Sequence, residues 1–317
     1  MKKILVLTSG GDSSGMNAYI KALAKLCKKE KIDLWASIGG YRGLIKDELK
    51  QLDYDDLAQI EDLGGSVIKS SRCPEFMTAD GFEKALQTIK KSKANCVVVV
   101  GGNGSYMGAK KLTDAGINVL AIPGTIDNDL SYTDITLGYN TACQNAVEMI
   151  TKIKQTMSAF DRGFVAEVMG RKCSDIALQT TIITNADLCI TSKQNFDKIL
   201  RETQKIVDSG IQSPLIVVQE GLLDIDALAK FLQDGTQKEF RAVKLGYIQR
   251  GGEPSNVDKL FAVELACATI KKFQENIFGF AIGKKDGVMV AKKLGEVTKI
   301  QKLCSKELLD IYRQFTK

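Results

Sequence analysis

The chain has 317 residues, with 44% hydrophobic residues, Lys plus Arg 44 against Asp plus Glu 38, Gly 28 and Pro 4, a balance that fits a globular protein with a substantial core and excludes disordered, fibrous and low-complexity classes. His is absent, which removes the commonest general base and metal ligand and leaves acid/base work to Asp, Glu, Lys, Tyr or Cys. The net charge of +6 is spread without a basic tail and suits phosphorylated small molecules better than nucleic acid.

In chain order, the first apolar run at 4–7 is too brief for a secretory core and leads directly into Gly10 and Gly11, as a first strand does. Helices are predicted at 16–30 and 79–92, then strands at 96–100 and 118–122. Helices at 143–159 and 196–209, a strand at 214–218 and a helix at 256–274 follow. The strand runs are continuously apolar rather than alternating, the mark of parallel strands covered on both faces, and their alternation with helices predicts an α/β fold. No run approaches the roughly 18 apolar residues of a membrane span. The eight Cys, at 27, 73, 96, 143, 173, 189, 267 and 304, include no C-x-x-C pair and signal neither zinc nor a disulfide framework, so a reducing cytoplasm is the simplest home. No fixed repeat or Pro/Gly/Ser linker divides the chain. A first boundary is expected from Leu137 into the helix after Tyr139, and a return near Gly251.

Three loops after predicted strands carry polar chemistry. In TSGGDSSGMN (8–17) and CVVVVGGNGSYMGAKKL (96–112), small residues let backbone approach a phosphate while a following helix N-terminus favours its charge. The first also reads as a helix start capped by Asp12 or Ser13, and the second as a tight strand-to-helix turn. Neither is a Walker A or dinucleotide fingerprint. In AIPGTIDNDL (121–130), Asp127 and Asp129 lie two apart, a spacing that in extended backbone puts both on one face. Such a pair divides between holding Mg²⁺ and accepting a proton from a hydroxyl nucleophile, though D-N-D alone also makes a polar turn. Arg72, Arg162, Arg171, Arg241 and Arg250 offer planar forks suited to phosphate oxygens or to surface ion pairs.

Through TSGGDSSGMN, GGYRGL, SRCPEF, GGNGSYMGAKKL, PGTIDND, EVMGR, QEG and YIQRGGEPSNVD the chain resembles, almost end to end, the bacterial ATP-dependent 6-phosphofructokinases. The resemblance implies two Rossmann-like three-layer α/β sandwich domains with mostly parallel sheets and a ligand cleft between them. The larger nucleotide-binding domain would take 1–138 plus about 251–301, and the smaller sugar-phosphate domain 139–250 plus about 302–317. It further implies a cytoplasmic glycolytic homotetramer, with no nucleic acid or membrane partner, that phosphorylates the C1 hydroxyl of fructose 6-phosphate with ATP and Mg²⁺.

Carried over by motif, Gly11, Arg72, Cys73, Gly102, Asn103, Gly104, Ser105 and Gly108 fall on the ATP side. Thr125, Ile126, Asp127, Met169, Gly170, Arg171, Glu220, Tyr247 and Arg250 fall on the sugar-phosphate side, with Arg162 and Arg241 reaching a neighbouring subunit's site. Asp127 resembles the proton acceptor, Arg171 and Thr125 complete the catalytic set, and Asp129, with Asn103, stands at the metal. Lys21, Lys25, Lys154, Asn185 and Asp187 match an effector site for ADP or phosphoenolpyruvate. Gly104 and Gly124 stand where pyrophosphate-using relatives carry Asp and Lys, which implies a nucleotide donor. The chain departs from the pattern at Asn103, where the family has Asp, and at Tyr247, where it has His. It also departs at Tyr54, Gln212 and Ser213, which replace effector-site cations. Asn103 motivates an alternative, a weakly catalytic nucleotide or sugar-phosphate sensor, and Tyr247 another acceptor sugar.

Overall fold

The computed structural model describes residues 2–315; the ends of the expected segments at 1 and 316–317 lie outside them. The chain divides into two compact units, Met1–Thr141 with Arg250–Lys302 and Ala142–Gln249 with Leu303–Lys317, against expected edges at 138, 250 and 301. One reason the first unit keeps residues up to 141 is the buried carboxylate of Asp258, which accepts hydrogen bonds from the backbone N–H of Gly138 and Thr141 and from the Thr141 hydroxyl. Arg250 is held there by Ser14, whose hydroxyl donates to the Arg250 carbonyl at 3.1 Å.

The elements run β1 (Lys2–Ser9), α1 (Met16–Lys29), β2 (Ile32–Ser37), α2 (Tyr41–Ile45), β3 (Leu49–Gln51), α3 (Ala79–Ser92), β4 (Cys96–Gly101), α4 (Asn103–Asp114) and β5 (Val119–Pro123). Next come α5 (Tyr139–Met157), β6 (Gly163–Val168), α6 (Asp175–Thr184), β7 (Leu188–Ile190), α7 (Phe196–Asp208), β8 (Leu215–Gln219), α8 (Ile225–Thr236) and β9 (Phe240–Lys244). The chain ends with α9 (Asn256–Gln274), β10 (Phe280–Lys285), β11 (Val288–Lys293), α10 (Leu294–Val297) and α11 (Lys306–Phe315).

The first unit holds a seven-stranded sheet of order β11-β10-β5-β4-β1-β2-β3, parallel except for the β10–β11 and β2–β3 pairs. Its central strands are buried on both faces, as their continuous apolar sequence predicts. Ile4, Val6, Val98, Val100, Leu120 and Ile122 point to one face and meet α1 and α9. Leu5, Leu7, Val97, Val99 and Val119 point to the other and meet α2, α3, α4 and α10. Each such side chain contributes about 1.5–3 kcal/mol relative to exposure, so the three-layer order is dictated by the strand alternation itself. The second unit is a parallel sheet, β7-β8-β6-β9, whose core packs β6 and β8 against α7 and α8 through Val165, Ile216, Val218, Ile199 and Leu228. Among the described residues no helix is long and apolar enough to cross a membrane.

Candidate functional site

In the first unit three loops gather at the C-terminal ends of β1, β4 and β5, where ligands of open α/β sheets bind. The loops after β1 and β4 are tied by a close approach that the bare Cα of Gly101 permits. The Ser105 hydroxyl donates to the Ser9 carbonyl at 2.9 Å, and a Cβ on Gly101 would lie 2.4 Å from that same hydroxyl oxygen. A Cβ on Gly11 would lie 2.6 Å from the Arg250 guanidinium, which also faces Asp12 at 3.6 Å. Arg250 therefore sits in the phosphate-type loop of the first unit, a long-range placement that spacing could not reveal.

Neither Asp12 nor Ser13 caps α1. Its N-cap is Gly15 in the left-handed region, φ +102°, and no side chain caps it; the Gly102 cap of α4 is likewise without a side-chain partner. The glycines here differ in what they do. A Cβ on Gly104 would meet nothing within 4 Å, so its bareness leaves open space above the helix start. One on Gly108 would strike the Tyr41 ring at 2.6 Å, and one on Gly124 the Val100 side chain at 2.7 Å; both positions are closed by packing. Tyr41 in turn donates its hydroxyl to the Ser105 carbonyl at 2.6 Å. Arg72 and Cys73 lie on the loop that leads into the short helical turn Pro74–Met77.

Thr125, Ile126, Asp127 and Asp129 occupy the loop beyond β5. The extended geometry expected of the two carboxylates is not what places them: the strand ends at Pro123, and Asn128 between them is left-handed at φ +50°, a conformation that Asn tolerates. Thr125 braces this bend. Its hydroxyl accepts the Asp127 N–H at 3.2 Å and its carbonyl accepts the Thr136 hydroxyl at 2.6 Å. Asp127 and Asp129 are 4% and 5% exposed. The Asp129 Oδ2 accepts the amide of Asn103 at 2.7 Å and that of Gln301 at 2.8 Å, whereas its Oδ1 is buried with no hydrogen-bond partner among the described residues.

A buried carboxylate oxygen left without a donor is costly unless a cation meets it. The residues present fit Mg²⁺. Among the described residues no cluster of three or more His, Cys, Asp or Glu could cage a metal alone, and Mg²⁺ is the ion that binds through one or two carboxylates, waters and substrate phosphates.

In the second unit the loop after β6 holds Met169, Gly170 and Arg171, with φ +132° at Gly170 and +49° at Arg171. A Cβ on Gly170 would come within 2.6 Å of the Cys173 carbonyl. This strained turn is fixed by side chains: Glu220 Oε1 accepts the N–H groups of Gly170 at 3.2 Å and Arg171 at 2.8 Å, and the Gln219 amide donates to the Arg171 carbonyl at 2.7 Å. Buried Gln249 accepts the Met169 N–H at 3.3 Å. Gln219 and Gln249, like Gln301 in the first unit, were not singled out in the sequence; the first two stand inside the quoted QEG and YIQRGG motifs. Tyr247 is 79% exposed. Arg162 and Arg241 come together at the β6–β9 pairing and share one carboxylate, Glu239, at 3.1 and 2.6 Å.

Apart from Lys25, the residues expected at an effector site are engaged within their own units. In the first unit Lys21 pairs with Glu61 at 2.6 Å and lies over the Tyr54 ring, while Lys25 is exposed. In the second, Lys154 donates to the Thr184 carbonyl at 2.6 Å, Asn185 is the left-handed C-cap of α6, and Asp187 accepts the Leu215 N–H at 2.7 Å. Burial raises the Asp187 carboxyl above its ordinary range. The Gln212 side chain accepts from Lys238 at 2.9 Å.

The profile of one family, Phosphofructokinase, matches residues 3–273. An ATP-dependent 6-phosphofructokinase of Clostridium botulinum is 36% identical over 98% of this chain and 98% of its own length, and one of Listeria innocua is 34% identical over the same shares. The structure is similar to that of phosphofructokinase from Saccharomyces cerevisiae, with a TM-score of 0.84, 28% identity and 100% of this chain covered; the chain spans 47% of that longer one. A pyrophosphate-dependent phosphofructokinase of Marinobacter aquaeolei shares the fold at a TM-score of 0.83 and 19% identity, over 95% of this chain and 85% of its own.

Proposed function

The chain belongs to the phosphofructokinase family, and on that premise we propose that it is an ATP-dependent 6-phosphofructokinase of the cytoplasm, carrying the γ-phosphoryl group of ATP to the C1 hydroxyl of fructose 6-phosphate. The observation that carries the reading is the loop beyond β5. There Asp127 and Asp129 are both buried beside the glycine-made start of α4, and one Asp129 oxygen is left for a cation.

In this mechanism the Asp127 carboxylate accepts the C1 hydroxyl proton as the oxygen attacks the γ-phosphorus; the γ-phosphorus bond to the β–γ bridging oxygen breaks, and ADP leaves. Thr125 holds the bend that presents Asp127. Arg171 meets charge on the transferring group, its backbone fixed by Glu220. Asp129 holds Mg²⁺, with Asn103 beside it; the ion supplies neutralisation of phosphate charge when bound. Gly11, Arg72, Cys73, Gly102, Gly104, Ser105 and Gly108 line the ATP side, and open space over Gly104 favours nucleotide over pyrophosphate. Ile126, Met169, Gly170, Glu220, Tyr247 and Arg250 bind the sugar phosphate. Arg162 and Arg241 reach a neighbouring subunit's site in a homotetramer.

A coupled assay with ATP, Mg²⁺ and fructose 6-phosphate tests this directly, with fructose 1,6-bisphosphate as the expected product. Comparable turnover with pyrophosphate would overturn the donor. The Asn103 amide on Asp129 favours one second reading, a weakly catalytic sensor, for which ATP binding without product formation is the expected result.

A further inference from the structure

We infer that the amides of Asn103 and Gln301 form a clamp that fixes Asp129 in its cation-facing orientation before any cation binds, with Gln301 as a positioning residue. The inference rests on the reading above only for the identity of the cation. A carboxylate can only accept, so both amides must turn their nitrogens towards it, and both donate to the same oxygen, Oδ2, at 2.7 and 2.8 Å. The other oxygen is left buried and bare. Two charge-assisted bonds on Oδ2 offset the cost of that bareness.

Gln301 arrives by construction rather than by chance. Residues 300–302 run as a strap along 129–131: the Ser131 hydroxyl donates to the Ile300 carbonyl at 3.0 Å, Leu130 and Gln301 form an antiparallel bridge, and the Lys302 N–H donates to the Asp129 carbonyl at 3.0 Å. This backbone register brings the side chain of an otherwise exposed residue onto Asp129. An acidic residue at 103 would face Asp129 charge to charge unless a cation stood between them. Asn103 instead satisfies one oxygen of the carboxylate in the cation-free protein, so the loop's order depends less on the metal.

The test compares wild type, Asn103→Asp, Gln301→Met and Gln301→Glu by thermal melting in EDTA and in Mg²⁺, with Mn²⁺ binding measured directly in the absence of nucleotide. Wild type, whose loop is already braced, should show the smallest rise in melting temperature from EDTA to Mg²⁺, that of cation binding alone. Asn103→Asp and Gln301→Glu should melt several degrees lower in EDTA and recover in Mg²⁺. Gln301→Met, which keeps length but has no donor, should lose about tenfold in Mn²⁺ affinity and raise KM for Mg·ATP while leaving KM for the sugar phosphate unchanged. Mn²⁺ affinity of Gln301→Met within about twofold of wild type, or a Mg²⁺ dependence in the melting of Asn103→Asp no larger than that of wild type, would overturn the clamp. Inactive wild type would count against the phosphotransferase reading alone, since melting and Mn²⁺ binding judge the clamp separately.

Discussion

Asp129 in the first unit and Glu220 in the second both stand just beyond the C-terminal end of a parallel strand, yet their carboxylates are used in opposite ways. Asp129 has two side-chain amides on one oxygen and keeps the other buried and bare. Glu220 commits Oε1 to the backbone N–H groups of Gly170 and Arg171 and so holds a left-handed turn in place. The first loop is ordered so that charge remains for a ligand; the second consumes charge to shape backbone that presents Arg171. Substitutions in the first should therefore be felt in chemistry and cation binding, and substitutions in the second in the seating of the acceptor.

The largest effect expected on the first side is Asp127→Ala, which should lower kcat by about 10²–10⁴-fold with substrate binding largely kept, as loss of a general base does. Steady-state kinetics on a variant that melts like wild type checks it, and a loss below about tenfold would move the base elsewhere.

A second prediction sharpens the contrast within the first unit. Gly124→Ala puts a Cβ 2.7 Å from the fully buried Val100 side chain and should cost about 1–3 kcal/mol of stability. Gly104→Ala meets no neighbour within 4 Å and lies inside α4, so it should leave the melting temperature unchanged or raised. Its effect should fall on KM for ATP. Equal destabilisation by both would deny that Gly104 is kept bare for a ligand.

On the acceptor side, Arg162→Ala should raise KM for the sugar phosphate by about tenfold, the scale of one charge-assisted hydrogen bond, with a smaller change in kcat. Glu239→Gln should do less, because the half-exposed pairing of Glu239 with two arginines is worth only about 0.2–1 kcal/mol. Sedimentation of a fully active monomer would contradict the shared site from which the first expectation follows.

Legibility in the sequence follows burial. The strands β1, β4, β5 and β8 were readable because each is buried on both faces and so continuously apolar. β9 was not, since only Phe240 of its five residues is buried and the charged Arg241 and Lys244 are exposed. The β10–β11 hairpin carries a signal that could have been read: Asp286 and Gly287, at φ +50° and +76°, are the Asp-Gly pair of a tight turn. The glycine loops of the site were legible because close backbone approach needs a specific residue. Gln301 was not, because an amide 172 positions from Asp129 belongs to no motif and is delivered by strand register alone. Nor was the bend at Asn128, where a tolerated left-handed residue replaced the extended backbone that the Asp spacing suggested.

The smallest expected effect concerns the residues matched to an effector site. Lys21 is only partly exposed and bonded to Glu61 at 2.6 Å, with the Tyr54 ring where a further cation would be needed, and Lys154 and Asp187 are taken up by backbone groups of the second unit. A phosphate ligand arriving at Lys21 must first displace Glu61, an exchange that costs up to about 1 kcal/mol for a pair with one partner about one-third exposed. ADP or phosphoenolpyruvate should therefore shift half-saturation by the sugar phosphate by less than about twofold, below the roughly fivefold floor of ordinary allosteric coupling. Glu61→Gln removes the competing charge while keeping the side chain's size, and should strengthen ADP binding by up to about fivefold, the equivalent of that 1 kcal/mol. Titration calorimetry on both proteins decides the point. A shift by phosphoenolpyruvate in wild type as large as in Glu61→Gln would mean that the ion pair opens without cost, and the internal pairing of Lys21 would then explain nothing about regulation.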